Sequence, residues 1–157
     1  MQKKSVSQWL REVSWTKWFN TSNWTYINRL VELGSDAVPE IIQVLREARR
    51  QPFVRQLRLD PPGQPPNAPL LETVVKALAE IGPGAAAAVP DLIEVFEAAD
   101  DEMLVGHAGE ALRSIGPAAQ AAIPALRDAV KRKVRVALAA WAAIEPDSPE
   151  LFATLLE

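Results

Sequence analysis

The chain has 157 residues, of which 48% are hydrophobic and only 6% aromatic, and its formal net charge is −3. This length and composition suit one domain with a continuous core. The chain contains no cysteine, which excludes disulfides, cysteine-based zinc sites and cysteine nucleophiles. It shows no apolar run long enough for a secretory signal or a membrane span, so the sequence predicts a cytoplasmic protein without membrane contact.

Charge is distributed unevenly along the chain. Residues 1–59 carry ten basic and five acidic side chains, residues 60–110 carry one and ten, and residues 111–157 carry six and five. This asymmetry is typical of a protein whose surfaces meet different partners, or whose copies associate head to tail. A solvated helical surface with uneven charge is the alternative interpretation.

The first 20 residues predict a helix rich in tryptophan. Apolar side chains recur there at approximately helical spacing, and three of the five tryptophans stand at positions 9, 15 and 18. Tryptophan suits the end of a helical array, where one side of the ring packs and the other stays partly wet. It is also common at binding hot spots, so Trp9 and Trp18 are candidate partner contacts.

Residues 21–47 predict a first helix pair, in which Gly34 ends one helix and Pro39 lies in the first turn of the next. Residues 48–67 then interrupt the pattern with a basic stretch followed by a proline-rich one. Proline-rich sequence of this kind does not form a packed core, and insertions in repeat proteins often carry binding residues. Arg55 and Arg58 are therefore candidate partner contacts, with a simple surface loop as the alternative.

One stretch occurs twice in the second half of the chain. Residues 77–92 read ALAEIGPGAAAAVPDL, and residues 111–126 read ALRSIGPAAQAAIPAL, 34 positions later. The glycine can adopt the left-handed conformation that ends a helix, and the proline after it cannot continue that helix. The second proline, Pro90 or Pro124, suits the first turn of a new helix. Each unit is therefore predicted to be a helix, a tight corner and a second helix that stacks on neighbouring copies.

This motif resembles the HEAT repeat, in particular the short bacterial type of phycobilin-lyase-like HEAT proteins, with the phrase A-L-x-x-I-G-P-x-A-x-x-A-I-P-x-L. Tetratricopeptide and ankyrin repeats have similar periods, but their motifs do not appear here. The resemblance implies an all-α fold, a short right-handed α-solenoid of the armadillo/HEAT type with about four helix pairs. The single domain would comprise an N-terminal helix or cap (1–20), repeat 1 (21–47), the insertion (48–67), repeat 2 (68–99), repeat 3 (100–131) and repeat 4 or C-terminal cap (132–157).

Residues suited to catalysis are sparse. His107 is the only histidine and is predicted to be a surface or packing residue on a helix. The adjacent carboxylates of Asp100, Asp101 and Glu102 suit a helix-capping corner better than a calcium loop, because no further acidic residues follow at calcium-loop spacing. The sequence therefore predicts no catalytic residue, no cofactor and no metal site.

The second helices offer a better candidate site, because the resemblance implies that they line the concave side and bind partners. Positions one, four and seven after the opening proline share one helical face, away from the apolar stripe. Acidic residues recur there and predict a ridge that accepts a basic peptide or helix: Glu40, Asp91, Glu94, Glu97 and Asp128. An ordinary solvated face is the alternative.

These observations predict a non-catalytic protein–protein interaction module, an adaptor or a subunit of a larger assembly. It would bind through the face of the second helices, through the insertion, or through both. HEAT-like enzymes of the lyase or glycosylase type and nucleic-acid-binding proteins are the alternatives. Net negative charge disfavours a phosphate-binding groove, and the basic run Lys131–Arg135 suits a turn between repeats.

Overall fold

A computed structural model describes residues 24–50, 68–98 and 101–155. These residues form eight α-helices and three short 3-10 helices, without a strand, so the predicted all-α fold is confirmed for this part of the chain. No helix within it is long and apolar enough to cross a membrane. The α-helices are α1 (Trp24–Leu33), α2 (Val38–Arg50), α3 (Ala68–Ile81), α4 (Val89–Ala98), α5 (Glu102–Ile115), α6 (Ile123–Lys131), α7 (Arg135–Ile144) and α8 (Pro149–Leu155).

The corners between paired helices are 3-10 helices that begin at glycine: Gly34–Ala37, Gly82–Ala88 and Gly116–Ala122. The three glycines have φ of 60°, 63° and 68°, the left-handed conformation predicted from the motif. The second and third corners take seven residues each, longer than the tight corner that the sequence predicted. Buried alanines, such as Ala85 and Ala119, allow these longer segments to lie close against the core.

The last helix pair lacks the glycine corner. Glu145 stands where the motif has glycine. Its φ is −138°, a negative value that any residue can adopt, so this corner does not require glycine. The indole Nε1 of Trp141 donates to the Glu145 carboxylate at 3.3 Å. Arg127 of α6 lies over the Trp141 ring, 5.0 Å from its centroid, and forms an ion pair with Glu150 of α8. Side-chain contacts therefore hold the end of the array together in place of the repeated corner.

The helices pack in two sets. The first helices α1, α3, α5 and α7 contact one another in chain order, and each second helix packs on the first helix of the following pair. The apolar side chains between them form one continuous buried cluster that extends from Leu30 to Leu151. This core fixes the positions of the second helices α2, α4 and α6, whose remaining faces carry most of the candidate residues.

Candidate functional site

Two ion pairs join the second helices α2 and α4. Arg46 donates from Nε to Asp91 Oδ1 at 2.6 Å and from Nη2 to Oδ2 at 2.9 Å. One helical turn further along α2, Arg49 donates from Nη1 to Glu94 Oε2 at 2.5 Å. Because both partners advance by three residues, the two pairs lie in the same register on the facing helices. We call these four residues the α2–α4 clamp.

The two ion pairs of the clamp differ in burial. The Asp91 side chain is only 4% exposed, and both of its oxygens accept hydrogen bonds from Arg46. Those bonds and the negative charge of Asp91 raise the pKa of Arg46 above its usual value. Glu94, in contrast, leaves most of its side chain in solvent. The buried Asp91 carboxylate therefore holds the helices together in fixed geometry, and the Glu94 carboxylate remains accessible.

Local helix chemistry places these charges where they are favourable. Asp91 lies in the first turn of α4, and Arg49 and Arg50 lie in the last turn of α2. The N-terminal end of a helix favours negative charge, and its C-terminal end favours positive charge. Asp91 and Arg49 are therefore each stabilised by their own helix as well as by their ion-pair partner.

A groove of about 400 Å³ runs along the clamp between α2 and α4. Its lining is almost entirely charged: Arg46, Arg49, Arg50, Pro90, Asp91 and Glu94. Arg50 is exposed and forms no ion pair with the residues that the structure describes. The groove thus presents three guanidinium groups against two carboxylates.

The predicted acidic ridge is only partly open. Asp91 and Glu94 share a face, but both carboxylates are bonded to arginines of α2. Asp128 is exposed and pairs with Lys131 of its own helix at 3.1 Å, and Glu40 is partly buried. Glu97 is exposed and has no ion pair within the described residues. The other sequence candidates, Trp9, Trp18, Arg55 and Arg58, lie outside the described residues.

In the sequence, the clamp is indicated by an arginine late in one second helix and an aspartate at the start of the next second helix. Arg46 stands seven residues after Pro39, and Asp91 stands one residue after Pro90. At the next junction, the corresponding positions are Glu97 and Ala125, which cannot form this pair.

A second polar cluster lies where α3 packs against α5, and sequence reasoning missed it. Glu72 is only 3% exposed, and its Oε2 has no hydrogen-bond donor among the described residues; Lys76 Nζ lies 3.9 Å away. Burial raises the pKa of Glu72, although Lys76 opposes the change. The sequence indicates this cluster only through the apolar residues around position 72. A charged residue within such an apolar stretch of a helix is buried together with its neighbours.

His107 on α5 belongs to the same region. Its Nε2 is buried and has no hydrogen-bond partner within the described part of the chain. Burial and the positive charge of Lys76 lower its pKa, so the neutral imidazole is favoured. No group of three histidine, aspartate or glutamate residues in the described segments is arranged to hold a metal ion. The prediction of a packing residue agrees with this half-buried position.

Comparison of the chain with family models, with curated proteins and with solved structures finds no match. The HEAT-repeat resemblance therefore stays a prediction that depends on the duplicated motif.

Proposed function

We propose that the protein is a non-catalytic protein-interaction module, a short right-handed α-solenoid of HEAT-like pairs that serves as an adaptor or assembly subunit. The observation that carries this proposal is the groove between α2 and α4, a charged surface fixed on two helices of a continuous core. Arginine is enriched at the centres of protein interfaces, where its planar group binds carboxylates and packs on flat surfaces.

The separation of the groove from the titratable groups whose pKa values are shifted by burial favours binding over catalysis. Active sites bring shifted pKa values and a substrate cleft together. Here the groups with burial-shifted pKa values, Glu72 and His107, lie at the α3–α5 contact, and neither lines the α2–α4 groove. The charged groups of the groove are instead arranged in pairs, which is typical of an interaction surface.

The experiment begins with affinity purification from the native host and mass spectrometry to identify the partner. Binding of the purified partner is then compared for the wild type and for the variant Glu94→Lys, Glu97→Lys, Asp128→Lys. The matched control is Glu32→Lys, Glu80→Lys, Asp147→Lys, which changes net charge equally at exposed positions outside the second helices.

We expect reversal on the second helices to change the partner's Kd by about tenfold or more, together with its salt dependence. A weaker complex would identify the predicted basic partner, and a tighter one would identify an acidic partner. The control should leave the Kd within about twofold. An unchanged Kd for the second-helix variant, or equal changes in both, would contradict the proposed face.

The predicted role of the insertion is tested separately, because residues 51–67 lie outside the described residues. Replacing Gln51 to Asn67 with a short Gly/Ser turn removes Arg55 and Arg58 and leaves α2 and α3 intact. Loss of the partner on this replacement alone would assign recognition to the insertion, and retention would leave it with the second helices.

A further inference from the structure

The α2–α4 groove offers hydrogen-bond donors that its own carboxylates do not use. A guanidinium group has five N–H donors. Arg46 directs Nε and Nη2 to Asp91, and Arg49 directs Nη1 to Glu94. Arg50 forms no ion pair with any described residue. The groove therefore keeps spare donors and one positive charge more than its carboxylates neutralise.

We infer that this groove binds the carboxylates of an acidic peptide segment, supplied by the partner protein. The inference rests on the proposed function and specifies the partner's chemistry at one part of the second-helix face. Arginine binds carboxylates through two parallel hydrogen bonds, as the contact between Arg46 and Asp91 already shows within the chain. Arg50 and the free side of Arg49 would bind an incoming glutamate or aspartate in the same way.

The electrostatics of the site agree with an acidic segment. The three arginines of the groove outnumber its two carboxylates, so a basic segment would meet one net positive charge, at a cost from like-charge repulsion. The volume of about 400 Å³ suits a few side chains rather than a whole domain surface.

The net charge of the chain makes this inference sharply testable. At −3 overall, the protein repels an acidic peptide at long range, so measurable binding requires a local cationic site. The probe is fluorescein-labelled hexaglutamate with an amidated C-terminus, and its binding to the intact chain is followed by fluorescence anisotropy. Hexaglutamine and hexalysine with the same label are the reference peptides.

The groove variants are Arg50→Gln and the double variant Arg49→Gln, Arg50→Gln. Arg50→Gln alone leaves the clamp untouched, because Arg50 takes no part in it. The control is Arg29→Gln, Arg113→Gln, which removes two exposed arginines on first helices, each paired with a glutamate three residues away. Both double variants change net charge equally, and thermal unfolding checks that each is folded.

We expect hexaglutamate to bind the wild type, with a Kd at least about tenfold weaker in the groove double variant and about threefold weaker in Arg50→Gln. The control should stay within about twofold, and chloride should weaken binding. Absence of hexaglutamate binding, equal loss in the control, or tighter binding of hexalysine would overturn the inference. Displacement by inorganic phosphate beyond that by chloride at equal ionic strength would also overturn it, because the site would then be a phosphate site.

Failure of this inference is distinguishable from failure of the proposed function. A loss of hexaglutamate binding that is specific to the arginine variants supports the groove as a binding site for acidic segments. This holds even if charge reversal on the second helices leaves the native partner bound. If that reversal changes binding of the native partner but hexaglutamate does not bind, the proposed function stands. The inference that the groove binds an acidic segment is then overturned.

Discussion

The two junctions between successive second helices differ, although the motif around them repeats. At the first, Arg46 and Arg49 of α2 bond to Asp91 and Glu94 of α4. At the second, Glu97 takes the position of Arg46 and Ala125 takes that of Asp91, so this ion pair cannot form. The glycine and proline positions thus set the helix boundaries in both, while side chains on the second helices decide whether neighbours are joined. The helix boundaries are therefore repeated from one unit to the next, whereas the charged residues on the surface differ.

The two junctions also differ in how their polar groups are paired. At the first, charged groups of α2 and α4 pair with one another, whereas the contact between α3 and α5 at the second buries Glu72 and half-buries His107. Glu72 Oε2 and His107 Nε2 have no hydrogen-bond partners among the described residues. A buried charge without full pairing costs stability. The second junction is therefore held by apolar packing of the first helices. The incompletely paired Glu72 inside it lowers the free energy of unfolding.

The largest expected effect comes from breaking the first-helix packing itself. A Cβ atom at Gly109 of α5 would lie 2.5 Å from Val136 Cγ1 of α7. Gly109→Ala should therefore lower the free energy of unfolding by about 2 kcal/mol in a denaturant titration. Val136→Ala in the same chain should restore part of the loss by making room.

Gly106→Ala is the matched control for this variant. Gly106 lies on the same helix, and a Cβ there meets nothing within 4 Å. The substitution should raise the free energy of unfolding by about 0.5–1 kcal/mol, because alanine favours the helix over glycine. Equal effects of Gly106→Ala and Gly109→Ala would contradict the close approach of α5 and α7.

The next effect comes from breaking the clamp at the first junction. Asp91→Asn removes the negative charge that faces Arg46 and replaces one of the two accepting oxygens with a donor group. We expect a lower Tm and faster amide exchange at the C-terminal end of α2. Asp128→Asn, which removes only the exposed pair with Lys131, should leave Tm almost unchanged. A similar fall in both variants would show that the buried pair has no special role.

A smaller, pH-dependent effect is expected from Glu72 at the α3–α5 contact. Burial raises its pKa above the ordinary value of 4.5, so folding favours the protonated form. The stabilising contribution is present below about pH 4.5 and is lost as pH rises through the raised pKa. Glu72→Gln should therefore be more stable than the wild type at pH 7, and this advantage should vanish near pH 4.

Glu110→Gln is the control with the opposite sign. Hydrogen bonds from Arg113 lower the pKa of Glu110, so its contribution is present above the ordinary pKa of 4.5 and is lost as pH falls through the lowered value. This variant should be slightly less stable than the wild type at neutral pH, since the pair is exposed. Urea titrations of both variants and the wild type at pH 4 and pH 7 give the comparison. A Glu72→Gln advantage that grows at low pH would contradict the buried carboxyl.

The smallest effect is expected from building a clamp at the second junction. Glu97→Arg with Ala125→Asp places the charges of Arg46 and Asp91 at the corresponding positions of α4 and α6. A double-mutant cycle should give a favourable coupling of no more than about 0.5 kcal/mol, because Glu97 is exposed and an exposed ion pair contributes little. A larger coupling would show that the second junction can hold an ion pair as strong as that of Arg46 and Asp91.

Much of the fold could be predicted from the motif, because its signals are local. The ends of α3 and α5 at Ile81 and Ile115 follow from the glycines after them. The Asp101 carboxylate accepts from the Met103 backbone N–H at 2.9 Å, which confirms the predicted helix cap. The spacing between glycine and proline bounds each corner, but the 3-10 conformation of the corners was not predicted, because it depends on how buried alanines pack.

The site was harder to predict because it depends on contacts between distant residues. The helical pattern placed Asp91 on a polar face, but the structure buries its carboxylate against Arg46, 45 residues earlier in the chain. Residues of the neighbouring repeat decide whether a charged side chain on that face is exposed to solvent or held in an ion pair. Helical periodicity within one repeat therefore locates the face without giving its net charge.

We propose that the clamped junction carries the binding face, and nuclear magnetic resonance can locate this face residue by residue. The intact ¹⁵N-labelled chain is titrated with hexaglutamate, and amide shift changes are mapped on the helices. We expect saturable changes concentrated at the end of α2, from Arg46 to Arg50, and in the first turns of α4, from Val89 to Glu94. Changes centred on α5 and α7, or the absence of any saturable change, would contradict it.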